Sequence, residues 1–330
     1  MNASLDIGLR LLNDFQRDFP LVARPYAEIA AHYGIGEESV IAAYRAGLAN
    51  GVISRIGAVF APLRLGASTL AAMAVPVERL DSVAAVVSAQ ASVNHNYERE
   101  GRWNLWFVVT AADTRERSAT LAAIEATTGL PVLSMPLVEE YHIDLGFDLL
   151  GNTRTASPSA QASAAPCALP EIEKALLAAL QDGLPLSHQP YAEMGARAGL
   201  SEAMTLELLT NWLRDGLIKR LGVIVRHREL GYTANAMCVW NIPDDEVSEF
   251  GRHLATVPSV TLCYRRQRTL PDWPYNLYCM IHGKQRADVE AIIEAATGSL
   301  GLDRFSGQIL FSRRCFKQCG SRYSSKVHHP

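Results

Sequence analysis

The sequence predicts an α+β protein built twice over: a winged helix-turn-helix followed by a ferredoxin-like βαββαβ domain, and then both again, with the two sheets packed as a pseudo-dimer. Three observations predict it. Segments recur at a nearly fixed offset, each half passes from helical to strand periodicity at the same place, and a Ser/Ala/Pro/Thr-rich stretch divides the halves.

Pro25-Tyr26-Ala27-Glu28-Ile29 returns as Pro190-Tyr191-Ala192-Glu193-Met194, an offset of 165 residues. At the same offset Gly51-Val52-Ile53-Ser54-Arg55-Ile56-Gly57 becomes Gly216-Leu217-Ile218-Lys219-Arg220-Leu221-Gly222, and Leu65-Gly66 becomes Leu230-Gly231. Tyr97 then matches Tyr264, and Asn104 matches Asn276 after a turn five residues longer in the second copy, Leu270-Pro271-Asp272-Trp273-Pro274. Thr128-Gly129 and Thr297-Gly298 close the register. Gly151 to Pro166 has almost no large apolar residue and reads as a flexible linker. The expected boundaries are 1–66 and 167–231 for the helix-turn-helix units, 67–150 and 232–330 for the ferredoxin-like domains, with 151–166 between.

Within the first half, apolar spacing predicts helices over Asp6–Asp18, Tyr26–Tyr33 and Glu37–Asn50, the last two stopped by Gly34 and Gly51. Val52–Ile56 is the expected wing. Strand, helix, strand, strand, helix and strand follow over Ser68–Val77, Val77–Ala91, Val93–Arg99, Trp103–Thr110, Arg115–Thr128 and Val132–Ile143. The second half repeats the order over Thr233–Asn241, Asp244–Thr256, Val260–Arg266, Tyr275–Gly283, Lys284–Thr297 and Arg304–Arg314. A four-stranded sheet with helices on one face needs a partner for the other, and the second copy supplies it.

Composition narrows the function. The 330 residues carry 31 basic and 34 acidic side chains, a net charge of −3, so nothing draws the chain as a whole to nucleic acid or to an anionic membrane. No signal peptide or membrane-length apolar run is present, and a cytoplasmic protein is expected. The six cysteines lack zinc-finger or CxxC spacing and read as reduced, mostly structural thiols; Cys315 and Cys319 lack clustered partners for a metal. The first candidate recognition helix opens with Glu37 and Glu38, and the second, Ser201 to Trp212, carries Glu202 and Glu207 with no cation before Arg214. Carboxylates facing phosphates repel them, so DNA binding is not expected.

Chemistry concentrates in Ser92 to Phe107. Alternation along a strand sets His95, Tyr97 and Arg99 on one face, and in the copy Leu262, Tyr264 and Arg266, with Cys263 and Arg265 opposite. Trp103 or Asn104, and Tyr275 or Asn276 in the copy, lie on the returning strands beside them. A His-Tyr-Arg face is too polar for a sheet core and suits the lining of a cavity. There the arginines fork onto carboxylates, aromatics stack on a planar ligand, and histidine donates a proton or ligates a metal. The competing reading makes the tyrosines core and the arginines a solvated edge. His227 and His282 read as structural histidines, and His328-His329 as part of the terminus.

Winged helix plus βαββαβ resembles the Lrp/AsnC regulators. Arg55-Ile56-Gly57-Ala58-Val59, His95-Asn96-Tyr97-Glu98-Arg99, Trp103-Asn104-Leu105-Trp106-Phe107, Cys263-Tyr264-Arg265-Arg266 and Trp273-Pro274-Tyr275-Asn276-Leu277-Tyr278 more specifically resemble the sirohaem decarboxylases in their fused D-plus-L form, over all of the chain but the linker. The resemblance implies non-oxidative loss of two acetate carboxyls from sirohaem to give didecarboxysirohaem, on the route to the dioxo-haem of nitrite reductase. It implies His95, Tyr97 and Arg99 as catalytic residues. Substrate binding would fall to Trp103, Asn104, Tyr264, Arg265, Arg266, Tyr275 and Asn276. No cofactor is implied beyond the iron of the substrate, which His95 could contact; sirohaem and its product are the implied partners, no membrane is involved, and a further homodimer is left open. The family pattern carries a histidine just before Cys-Tyr-Arg-Arg, where Leu262 stands here, which favours one site centred on His95 and completed by arginines of both halves. A ligand-sensing transcriptional regulator or a tetrapyrrole carrier would use the same cavity.

Overall fold

The structure, a computed structural model, describes residues 3–143, 146, 149–150, 167–321 and 323; the expected linker and His328-His329 lie outside the described residues. The first half runs α1 (Ala3–Asp14), α2 (Pro25–Tyr33), α3 (Glu37–Ala49), β1 (Ile53–Phe60), α4 (Pro62–Leu65), β2 (Ala67–Met73), α5 (Leu80–Ala89), β3 (Val93–Arg99), β4 (Leu105–Ala111), α6 (Thr114–Thr128) and β5 (Leu133–Ile143). The second runs α7 (Glu171–Gln181), α8 (Pro190–Arg197), α9 (Glu202–Arg214), β6 (Ile218–Val225), β7 (Ala234–Trp240), α10 (Val247–Leu254), β8 (Val260–Arg266), β9 (Leu277–Gly283), α11 (Arg286–Leu300) and β10 (Gly307–Gln318). Local signals set these limits. Pro25 occupies the first turn of α2 and Gly34 ends it at φ 64°. Asp113 caps α6 by accepting from the Glu116 amide at 2.8 Å, while Glu116 accepts from the Ala112 amide.

The wing departs from expectation. β1 is longer than Val52–Ile56 and pairs antiparallel with its own copy, β6, from Ile53↔Val225 to Phe60↔Ile218. A lone strand leaves its amides and carbonyls unpaired, and the repeat supplies the partner. The helical units merge likewise: the Tyr26 hydroxyl donates to Pro185 O and the Tyr191 hydroxyl to Pro20 O, each at 2.8 Å. The recurring Pro-Tyr-Ala-Glu segment is thus a reciprocal clasp, inside one apolar core shared by both units.

Each ferredoxin-like sheet has the order β5-β2-β4-β3 or β10-β7-β9-β8, and the two join at both edges into a closed eight-stranded barrel. The long last strands make the joints. β5 follows β2 over Leu133–Pro136 and then β8 over Leu137–Ile143; β10 follows β7 over Gly307–Phe311 and then β3 over Ser312–Gln318. Helices α5 and α6 cover one outer face and α10 and α11 the other, over separate apolar cores. Trp103, Trp106, Trp273, Tyr275 and Tyr278 plug the interior with Met135 and Met237. Trp106 meets Trp273 edge-on at 5.0 Å, and Trp273 donates to the Tyr278 hydroxyl at 2.7 Å. The plug leaves the other end of the barrel, beneath the β1–β6 ribbon, open for a site. No helix among the described residues is long and apolar enough to cross a membrane.

Candidate active site

The barrel end next to the ribbon holds two adjoining chambers, of about 160 and 200 Å³, that share His95, Leu262, Tyr264, Arg266 and Gln318 in their walls. The seven-residue strands β3 and β8 bring His95, Tyr97 and Arg99 inward from one half and Leu262, Tyr264 and Arg266 from the other. An anionic ligand requires cations to hold it, and the chambers present arginines with histidines and tyrosines beside them. No aspartate or glutamate lines either chamber among the described residues.

None of the three cations has a carboxylate among its hydrogen bonds, and Arg99 and Arg266 are buried. Arg99, 6% exposed, donates to Leu310 O at 2.9 Å and to Asn235 O and Oδ1 at 3.4 Å. Arg266, 8% exposed, donates to Met135 O at 3.2 Å and lies 5.1 Å from the Tyr264 ring. Arg55, reaching in from the ribbon, donates to Ala58 O at 3.0 Å, and its buried Nε has no hydrogen-bond partner. Burial lowers all three from the ordinary arginine value, Arg55 and Arg99 to about 10, so these two stay cationic at neutral pH. A buried cation facing neutral dipoles has lost its hydration without gaining a counter-ion, and an incoming carboxylate supplies one.

Three histidines share the first chamber. His95 stacks on Tyr97, ring centroids 6.2 Å apart and planes 15° from parallel. His227 meets His282 edge-on at 4.7 Å. Thr261 Oγ1 lies 2.9 Å from Nδ1 of His282 and 3.1 Å from Met280 O. Burial, then the charge of Arg55, lowers His95 to about 4; burial, then Arg228, lowers His227 to about 4; burial, then His227, holds His282 well below its ordinary value. All three are therefore neutral at pH 7. Burial raises Tyr97 and Tyr264, which stay protonated.

Stability should follow these histidines. Their folded-state values lie below the ordinary value near 6.5, so the unfolded chain binds more protons between the two. Their contribution is complete above about pH 6.5 and is lost as pH falls toward 4. A thermal midpoint that drops through this window, with a shallower drop in His227→Gln, is the expected result; a flat profile would contradict the neutral, buried assignment.

The cavity gathers five of the expected site residues and leaves out the rest. Trp103 and Tyr275 belong to the plug and face away from these chambers, lining a separate outer cleft of about 530 Å³ with Glu100 and Asp272. Alternation extended past the strand ends cannot follow a turn. Asn104 grips the backbone of Val75, accepting from its amide at 2.9 Å and donating to its carbonyl at 2.8 Å, and Asn276 holds Ile242 the same way at 3.0 and 2.9 Å. Their repetition marks a structural clamp. Asn276→Ala should cost about 1–3 kcal/mol, read as a lower denaturant midpoint at unchanged slope; lost ligand affinity at unchanged midpoint would return it to the site. Arg265 points out of the barrel and pairs with Asp244 at 2.9 Å, as its place opposite Arg266 requires.

Arg55, His227, His282 and Asn235 are functional candidates that sequence reasoning missed. Arg55 stood in the repeated wing segment, matched by Arg220 at the same offset. His227 and His282, read as structural, enter the cavity because the ribbon and β9 converge there with β3. Nothing in their spacing announces that.

Comparison with known proteins agrees with this architecture. A model of the AsnC-like ligand binding domain matches residues 64–142 and 229–317, and one of the siroheme decarboxylase NirDL-like HTH domain matches 9–53 and 173–219. The siroheme decarboxylase NirDL subunit of Paracoccus denitrificans is 45% identical over 96% of this chain and 97% of its own length. That of Paracoccus pantotrophus is 46% identical, with the same shares covered. The crystal structure of the siroheme decarboxylase NirDL in co-complex with an iron-uroporphyrin III analogue matches with a TM-score of 0.66 and 27% identity, over 97% of this chain and 94% of that one. With two helix-turn-helix units, two AsnC-like domains and this identity along nearly its whole length, the chain belongs to the sirohaem decarboxylase NirDL family.

Proposed function

We propose that the protein is a sirohaem decarboxylase, a carboxy-lyase that removes two acetate carboxyls of sirohaem as CO₂ and yields didecarboxysirohaem on the route to the dioxo-haem of nitrite reductase. The observation that carries this reading is a cavity walled by Arg55, Arg99 and Arg266 and three neutral histidines, with no acidic residue among its described lining. Sirohaem presents eight carboxylates on a flat macrocycle, and such a ligand supplies what these arginines lack. The β1–β6 ribbon and the Gln318–Ser321 segment border these chambers.

In the proposed reaction the bond between the arm's methylene carbon and its carboxylate breaks. The electron pair passes into the conjugated ring, CO₂ leaves, and a proton converts the methylene into a methyl group. One proton is consumed per CO₂ and no electrons are exchanged, so no redox cofactor is required. Arg99 orients the carboxylate and His95 delivers the proton, with the Tyr97 phenol stacked beside it. His95 starts neutral, so the polyanionic substrate must first draw a proton onto it; the same ring, unprotonated, has the lone pair to touch the substrate's iron. It serves one role at a time.

The regulator reading has less support. Glu37 of α3 is paired with Arg24 and, at 2.8 Å, with His188, so carboxylates stand at the start of the helix that would face DNA. Anaerobic incubation with sirohaem followed by mass spectrometry decides. A product lighter by two CO₂ is expected; none, together with tight and salt-sensitive DNA binding, would favour the regulator.

A further inference from the structure

The two sides of the barrel's ribbon end can be compared residue by residue, because β5 runs along β8 in the same register as β10 along β3. Leu137↔Arg266 and Glu140↔Tyr264 on one side correspond to Ser312↔Arg99 and Cys315↔Tyr97 on the other. The β5 side is fastened. Lys219 of β6 pairs with Glu140 at 2.8 Å, both side chains nearly buried, and ties the ribbon to the barrel wall. The matching places on the β10 side hold Ser54, at the repeat offset, and Cys315, and these two cannot form an ion pair. Cys315 is exposed, yet its thiol meets the phenol of Tyr97, which lines the first chamber. On the β10 side solvent therefore comes within one side chain of the cavity wall, where on the β5 side an ion pair stands.

Charge separates the two sides in the same sense. Arg226, Arg228 and Arg313 of the β10 side have Ala61, Leu63 and Val138 as counterparts, and Arg314 has Glu139. Arg228 is fixed beside β10, donating to Ser312 Oγ at 3.2 Å and to Arg313 O at 3.1 Å, and its charge and that of Arg226 both act on Cys315. Fixed cations around one opening raise the rate at which a polyanion finds it.

We infer that the anionic tetrapyrrole enters and leaves the barrel beside Cys315, between β10 and the ribbon, steered by Arg226, Arg228 and Arg313, while the Lys219–Glu140 pair holds the opposite side shut. That the ligand is a tetrapyrrole rests on the decarboxylase reading; the side of entry rests on the ion pair, the exposed thiol and the cations.

Anaerobic stopped-flow absorbance with sirohaem tests it, alongside CO₂ release. Cys315→Trp obstructs the mouth and should slow association and dissociation alike, each by about tenfold, with Kd little changed. A maleimide adduct made on the folded protein should do the same, and the equally treated Cys315→Ser protein should not. Arg226→Gln with Arg313→Gln should lower the association rate about tenfold at low salt and flatten its salt dependence, with dissociation nearly unchanged. Glu140→Gln, on the opposite side, should leave association within about twofold of wild type. The inference is overturned if Cys315→Trp and the Cys315 adduct both bind as fast as wild type, or if Glu140→Gln speeds entry as an opened gate would. Sirohaem bound without CO₂ release would sink the decarboxylase reading alone, because the rates still decide the side of entry; no sirohaem binding at all would sink both.

Discussion

Replacing His95 by glutamine is expected to slow CO₂ release by about 10²–10⁴-fold, the usual contribution of a positioned proton donor, while sirohaem binding stays within about threefold. The free protein holds His95 at about 4 through burial and the nearby Arg55 cation, so at pH 7 about one ring in a thousand carries a proton. Carboxylates entering the cavity reverse both influences: they cancel the arginine charges and favour imidazolium. Binding should therefore take up about one proton at pH 7, measurable by calorimetry in buffers of different ionisation enthalpy. The rate should fall as pH rises through the value His95 adopts in the complex. Normal turnover by His95→Gln would transfer the donor role to Tyr97, whose phenol stays protonated throughout this range. A large change in the sirohaem absorption bands on substitution would instead mark His95 as a ligand to iron.

Arg99→Gln should weaken sirohaem binding by about 30-fold or more, since breaking a buried charge pair costs roughly 2–5 kcal/mol. Arg99 bears its desolvation in the empty protein, where Leu310 O and Asn235 are its hydrogen-bonded oxygens. The substrate carboxylate then meets a cation that has no further hydration to lose. For the same reason the thermal midpoint of the free variant should not fall steeply, because a neutral amide removes an uncompensated charge along with the hydrogen bonds. Burial also limits screening, so the loss should persist when ionic strength is raised. Affinity within twofold of wild type would remove Arg99 from the binding site.

The repeat and the strand alternation made most of this legible beforehand. Offset matching placed both ferredoxin-like units and paired Tyr97 with Tyr264 and Arg99 with Arg266. Period-two alternation then turned His95, Tyr97 and Arg99 into one face and sent Arg265 to the other, although the resemblance had put Arg265 in the site. The failures have physical causes. Trp103, Asn104, Tyr275 and Asn276 lie in or beside turns, where alternation no longer dictates direction: two line an outer cleft and two grip backbone. The β1–β6 pairing and the closing of the barrel through β5 and β10 are contacts between residues far apart in the chain, to which local periodicity is blind. Arg55, His227 and His282 belong to the site only through those distant contacts.

Closure of the barrel also fixes a stoichiometry. A separate first half would expose the edges of β3 and β5 as bare rows of amides and carbonyls, open to any matching strand, including those of a second identical half. Two first halves would assemble a barrel with two His95 chambers, and two second halves one with none. Joining the halves in one polypeptide ensures that each molecule receives one half with His95 and one with Leu262 at the matching position, and so a single His95.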